Sequence, residues 1–271
     1  MGLKQFSNYL FTALMVLQFS AVFALKVVST SPGLTETLFA IGATEDVIAV
    51  SRYCDYPIEA IALPKVGGYY DVNQETILRL SPDLVLFMEG NEDIQKFLKR
   101  HKLKSKSYST RSVNDVLFAI ESIGNDVDKQ QEAKELVSAI KKKMAKIKRN
   151  FSKSNPSSVL VVIDQELHQG KVEAVFVVGN DDYYVPLLKL FNLTNVLQVK
   201  IPYPRITKET LQSLRPDKIF VFSEATLEEY SWLQRDGYNP EIYIIKDLAM
   251  RRPGPRMLEM LNILENILSI N

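Results

Sequence analysis

The stretch Glu75-Thr76-Ile77-Leu78-Arg79-Leu80-Ser81-Pro82-Asp83-Leu84-Val85-Leu86 is written twice in this chain. Its second copy, aligned without a gap, is Glu209-Thr210-Leu211-Gln212-Ser213-Leu214-Arg215-Pro216-Asp217-Lys218-Ile219-Phe220. The Glu, the Thr, the Leu before the turn, the Pro and the Asp are identical. Apolar character is also kept at Ile77/Leu211, Val85/Ile219 and Leu86/Phe220. Each copy reads as a short helix, a Pro-Asp turn that the helix cannot cross, and a buried strand. Two such units at matching points of one chain predict two related α/β lobes.

Working outward, the first half alternates. Strands are predicted at Lys26–Thr30, Val47–Ser51 and Leu84–Met88, and helices at Thr35–Ile41, Asn73–Leu80, Asp93–His101 and Val113–Ile123. The second half repeats the alternation. Strands are predicted at Val159–Asp164, Ile219–Ser223 and Ile242–Lys246, with helices at Tyr184–Phe191, Glu209–Leu214, Leu227–Arg235 and Pro255–Ile270. Strands alternating with helices call for parallel sheets. Between the halves, Lys129 to Phe151 holds neither Pro nor Gly, and Leu136, Ile140, Met144, Ile147 and Phe151 form one helical stripe. Its other face, with Lys141, Lys142, Lys143, Lys146, Lys148 and Arg149, reads as solvated. The expected fold is therefore α/β, with two lobes of parallel sheet flanked by helices, joined by one long α-helix. The expected boundaries are an N-terminal lobe at 25–127, an inter-lobe helix at 128–153 and a C-terminal lobe at 154–271. A cleft between lobes is where a small ligand is expected.

Residues 1–24 stand apart. One lysine, Lys4, precedes the apolar run Tyr9–Ala24, which is short for a bilayer span of about 20 residues. With Val22-Phe23-Ala24 at its end, the run reads as an export signal cut after Ala24, giving a periplasmic or extracytoplasmic protein. The competing reading is an uncleaved membrane anchor on an α/β sensor or structural protein.

Composition removes much chemistry. The 271 residues carry 33 Lys+Arg against 32 Asp+Glu, a net charge of +1, so there is no basic footprint for nucleic acid. One Cys, Cys54, excludes an internal disulfide, and two His exclude a three-histidine metal site. No Gly-x-Ser-x-Gly elbow or phosphate loop is present, and Asp164 and His168 have no neighbouring Ser or Cys to complete a nucleophilic set. The chain reads as a non-enzyme with no cofactor of its own.

The candidate binding residues follow strand ends, the usual ligand position at the carboxyl edge of a parallel sheet. In the first half these are Tyr53, Tyr56, Tyr69, Tyr70 and Met88. In the second they are Phe176, Tyr203, Asp247 and Arg251. Tyrosine offers a large contact area on few rotatable bonds, which suits a rigid flat ligand. Arg256 reads equally as a ligand contact or as a tie from the start of the last helix to the neighbouring lobe.

Together these segments resemble a known family. Val28-Ser29-Thr30-Ser31-Pro32-Gly33-Leu34-Thr35-Glu36-Thr37-Leu38-Phe39-Ala40-Ile41-Gly42-Ala43 resembles the opening of the iron-chelate and vitamin B12 class of periplasmic substrate-binding proteins. Tyr53–Pro57, Val66–Tyr70, Glu75–Leu86, Pro202–Pro204, Glu209–Phe220 and Arg252–Arg256 follow in the family's order over residues 25–271. The resemblance implies two Rossmann-like lobes on a rigid helical spine and a monomer that hands its ligand to an ABC permease with ATPase subunits. It implies that Glu75 and Glu209, one per lobe, dock onto that permease; each is alternatively a favourable charge at its helix start. Tyr-Cys-Asp-Tyr-Pro is most similar to the cobalamin branch, and Tyr53, Tyr69, Met88, Phe176, Tyr203, Asp247 and Arg251 fall where that branch contacts its corrinoid. Tyr69, Met88 and Tyr203 stand where tryptophans are common, and Asn192-Leu193-Thr194-Asn195 replaces the usual Gly-Gly-x-Asn. A haem-binding relative would use Tyr69 or Tyr70 as axial iron ligand. A siderophore binder would carry pocket arginines, for which Arg52, Arg205 and the 251–256 group are the candidates.

Overall fold

The computed structural model describes residues 25–169, 171–180, 183–224, 226–233, 237–247 and 251–269; the expected export signal, 1–24, lies outside them. The first lobe holds strands β1 (Val27–Ser29), β2 (Val47–Val50), β3 (Leu84–Met88) and β4 (Ser105–Tyr108). Its helices are α1 (Pro32–Ala40), α2 (Ile58–Ala62), α3 (Gln74–Leu80), α4 (Glu92–Arg100) and α5 (Val113–Asp126). The strands form one wholly parallel sheet in the order β2-β1-β3-β4. Its central strands are buried on both faces, which is why Val27-Val28 and Leu84–Phe87 read as continuous apolar runs. The connecting helix α6 (Gln130–Asn150) has 21 residues, a length of about 31 Å.

The second lobe comprises β5 (Ser157–His168), β6 (Lys171–Val177), α7 (Tyr184–Lys189), β7 (Leu193–Asn195), β8 (Arg205–Thr207), α8 (Lys208–Leu214), β9 (Lys218–Val221) and β10 (Glu241–Ile244). A final helix, α9 (Met257–Ser269), follows. Within this lobe, β7, β5, β9 and β10 pair in parallel in that order. They reproduce β2-β1-β3-β4, with Val159 opposite Lys218 as Val27 is opposite Leu84. The sheet is mixed, however. β5 runs on to His168 and pairs antiparallel with β6, which pairs antiparallel with β8. The sequence pattern shows β5 only to Asp164, because beyond it the strand is polar and half-exposed. β4 was equally hidden, since Ser-Lys-Ser-Tyr buries only Tyr108 completely. Residues 228–233 form a 3-10 turn rather than the expected helix over Leu227–Arg235.

The repeat is a repeat in three dimensions. Both helices are N-capped, with the Asn73 side chain accepting from the Thr76 N–H and Thr207 from the Thr210 N–H. Both end in a left-handed residue, Ser81 at φ 45° and Arg215 at φ 43°. Ile77 and Leu211 are each fully buried. Asp83 accepts from the Lys26 N–H at 2.9 Å, and Asp217 accepts from the equivalent Ser158 N–H at 2.7 Å.

One apolar core joins the lobes. It runs from Leu34 and Leu38 of α1 through Ile120 and Ile123 of α5 and Val137, Ile140 and Ile147 of α6 to Val159, Phe220, Met257 and Leu261. Lys143 of α6 pairs with Glu265 of α9, which also accepts from Asn150 at 3.3 Å. Separate clusters cover the outer face of each sheet.

Candidate functional site

A continuous cleft lies where the carboxyl ends of the two sheets meet. Its main cavity, about 730 Å³, takes Thr110 and Arg111 from the loop after β4, and Asn180, Tyr183, Lys200 and Tyr203 from the second lobe; Pro253 closes one side. A recess of about 410 Å³ on the first-lobe side shares Thr110 and Arg111 and adds Tyr69, Tyr70, Met88 and Tyr108. Another of about 300 Å³ on the second-lobe side shares Tyr203 and adds Ile163, Asp164, Phe176 and Arg251.

The aromatic loop on the first wall depends on Gly67. Its φ is +96°, and a Cβ there would stand 2.4 Å from the Asp71 carbonyl oxygen, so only glycine fits. Arg52 ties the loop from below by an ion pair to Asp71, and Asn91 donates from its side chain to the Tyr69 carbonyl. The Tyr69 and Tyr70 rings meet edge to face at 4.4 Å between centroids. The Tyr69 hydroxyl donates to the Glu89 carbonyl at 3.3 Å, whereas Tyr70 is 81% exposed. Burial holds the Tyr69 phenol above its ordinary pKa, with a further push from Tyr70 and a small opposing pull from Arg111.

On the second wall, Gly179 is the enabling residue. A Cβ there would come within 1.9 Å of the Ile201 carbonyl oxygen. Its own N–H donates to the Pro202 carbonyl at 2.9 Å, and the Asn180 N–H donates to Val199 at 2.7 Å. The 199–203 loop is thereby held against the exit of β6, which presents Lys200 and Tyr203 to the cavity. Arg251 reaches Asp164 across 3.9 Å.

The segment Arg252–Arg256 fastens the second lobe to the first. Arg252 pairs with Asp55 through both terminal guanidinium nitrogens and lies 3.8 Å from Glu36. A Cβ on Gly254 would stand 3.4 Å from the Gly33 Cα, and a Cβ on Gly33 would meet the Pro253 carbonyl oxygen at 2.6 Å. Arg256 lies 3.8 Å over the Tyr56 ring and pairs with Asp247 at 2.7 Å and Glu259 at 3.0 Å, which is the tying role considered for it. Burial pushes Glu36 up to about 7, against the pull of Arg256 and Arg252.

Of the residues singled out in the sequence, the cleft thus gathers Tyr69, Tyr70, Met88, Phe176, Tyr203 and Arg251 from both lobes. Tyr53 does not line these cavities; it is exposed with Arg52 over its ring. Asp247 faces Arg256 instead. Arg52 and Arg205 are engaged with Asp71 and Glu166. The sequence reading missed Arg111, Asn180, Tyr183 and Lys200. Arg111 could have been found had Ser105–Tyr108 been recognised as a strand, because it then sits at that strand's carboxyl end, just before the Ser112/Asp115 capping box. Glu75 and Glu209 are both exposed, at the same place in the first turns of α3 and α8. The backbone N–H of Glu209 and the Thr207 hydroxyl hold the Glu209 carboxyl below its ordinary pKa. Among the described residues no group of side chains is suited to hold a metal ion, and no helix is long and apolar enough to cross a membrane.

Two related α/β lobes on a helical spine, with an aromatic cleft between them, define a bilobal ligand-binding protein. The chain belongs to the periplasmic binding protein family, whose sequence profile matches residues 27–236. It is accordingly a binding protein and not an enzyme. Over 242 residues it is 20% identical to a vitamin B12-binding protein of Vibrio cholerae serotype O1, covering 86% of this chain and 85% of that one. The crystal structure of the periplasmic vitamin B12-binding protein of Vibrio cholerae superposes with a TM-score of 0.74 at 19% identity, over 90% of this chain and 96% of that one. A periplasmic haem-binding protein from Roseiflexus sp. RS-1 superposes with a TM-score of 0.76 at 19% identity, over 91% and 98%.

Proposed function

We propose that this chain is the extracytoplasmic substrate-binding component of an ABC importer, carrying cobalamin or a related metal chelate such as a ferric siderophore to a membrane permease. The observation that carries this reading is the interlobe cleft, whose aromatic walls of Tyr69, Tyr70, Phe176 and Tyr203 suit a rigid, flat-faced ligand. The vitamin B12-binding relative supports the ligand class. In this reading residues 1–24 direct export, 25–127 and 154–271 act as two lobes, and 128–153 is the spine between them. Met88 and Arg251 contribute to the ligand contact, with Tyr53 and Asp247 at its margin.

Glu75 and Glu209 dock onto the permease. Their equivalent places on two duplicated units support this, since a roughly two-fold partner needs two like-placed acids. Replacing both with Ala is expected to leave ligand affinity unchanged while lowering transport.

Haem is the second reading. The exposed Tyr70, beside Met88 and Arg111 in one recess, favours it, because a free phenol oxygen there is available to a ferric ion. Mixing the purified protein with cyanocobalamin, haemin and a ferric siderophore tests both, with co-eluting absorbance as the measurement. Retention of none of the three chromophores would refute the reading as a chelate carrier.

A further inference from the structure

We propose that the cleft is built for a chelate bearing at least two anionic groups, one held by Arg111 of the first lobe and one by Lys200 of the second. The inference rests on the binding-protein reading and narrows its substrate class away from uncharged corrinoids and uncharged siderophores.

The other arginines near the lobe junction are already engaged with carboxylates of the chain. Arg52 is paired with Asp71, Arg205 with Glu166, Arg251 with Asp164, Arg252 with Asp55, and Arg256 with Asp247 and Glu259. Arg111 and Lys200 differ. Both are exposed, both line the main cavity, and among the described residues neither forms one of the ion pairs that engage the other cations. Among the described residues the nearest acids are Asp115 and Glu89. Asp115 accepts from the Ser109 hydroxyl at 2.9 Å and the Ser112 N–H at 3.1 Å and shares a side recess with Arg111, whose charge it feels without forming an ion pair. Glu89 shares the side recesses with Arg111 but does not line the main cavity.

The remaining polar lining is uncharged: Thr110 and Asn180 can donate or accept, and among the described residues no carboxylate lines that cavity. Two cations with no carboxylate of the described residues beside them are complementary to a ligand with anionic oxygen acceptors. A guanidinium adds the planar fork that a carboxylate or a catecholate matches with two bonds, and an ammonium adds a mobile point charge. Because the two cations sit on different lobes, an anionic ligand engages both walls at once, and its charge bridges them.

The test compares ligands that differ in charge on one scaffold: haemin against its dimethyl ester, and a trianionic ferric tris-catecholate against an uncharged ferric tris-hydroxamate. Affinities are read by quenching of intrinsic fluorescence in the full protein. The anionic member of at least one pair is expected to bind about tenfold tighter or more, and R111Q and K200Q are each expected to remove about tenfold of that affinity. The uncharged member should be indifferent to both substitutions, R111K should restore part of the loss, and salt should weaken only the anionic ligands. Uncharged ligands or cyanocobalamin binding as tightly as the anionic ones, with R111Q and K200Q within twofold of wild type, would overturn the charge assignment while leaving the carrier reading intact. Binding of no ligand of either charge would overturn both.

Discussion

The two lobes are the same four parallel strands built twice, and they differ in what was added. In the first, β1 stops at Ser29 and the chain turns directly into α1. In the second, β5 continues to His168, folds back as β6 and is later joined by β8. The first wall of the cleft is consequently made of loops, hung on Gly67 and pinned by Arg52 and Asn91. The second is made largely of the added ribbon, which supplies Phe176 and, through the hydrogen-bonded 199–203 loop, Lys200 and Tyr203. A duplicated frame thus carries two unlike surfaces, and a ligand between them meets each once.

The comparison is most directly broken in the repeat itself. Ile77→Ala and Leu211→Ala are each expected to cost about 3 kcal/mol, since both side chains are fully buried. Urea unfolding measures both, and a cost below about 1 kcal/mol at either would mean that the two copies are not packed alike.

Glu36 tests the asymmetry at the lobe junction, because it is an acid of the first lobe buried against arginines that come from beyond β10. Its carboxyl is raised from 4.5 to about 7, so the folded state binds the proton more tightly than the unfolded one. The associated stability is fully present below about pH 4.5 and is lost as pH rises to about 7, a total of about 3 kcal/mol. Glu36→Gln should remove this slope, so its stability gains on wild type between those values. Parallel stability–pH curves for the two proteins would contradict a carboxyl whose burial outweighs the pull of Arg252 and Arg256.

The smallest effect separates the turn aspartates. Asp217 accepts from the Ser158 N–H and hydroxyl, both at 2.7 Å, and from the Ser157 hydroxyl at 3.3 Å. Asp83 accepts from the Lys26 N–H alone at 2.9 Å. Asp217→Ala is expected to cost about 2 kcal/mol and Asp83→Ala about 1 kcal/mol. Equal losses in thermal or urea unfolding would show that the serine hydroxyls add nothing to the second turn.

Much of the cleft was legible where a strong local signal marked it. Tyr69 and Tyr70 follow paired glycines, Tyr203 lies between prolines, and Arg251 opens a run too polar for a strand. Arg111, Asn180 and Lys200 carried no such mark, since an exposed cation or amide in a loop resembles any solvated residue. The strands that position them were also hidden: β4 is polar because it lies at a sheet edge, and β6 opens with alternating charged and buried residues, Lys171-Val172-Glu173-Ala174.

Local order determined the duplicated helix–turn–strand unit, the spine and the alternating lobes, because apolar period, caps and proline placement act between near neighbours. Only the tertiary structure decided that one core runs through both lobes, that β6 pairs antiparallel with β5 and β8 with β6, and which cations stand without a carboxylate among the described residues. Those outcomes depend on strand pairing and charge distances between segments far apart in sequence, and spacing along the chain does not encode them.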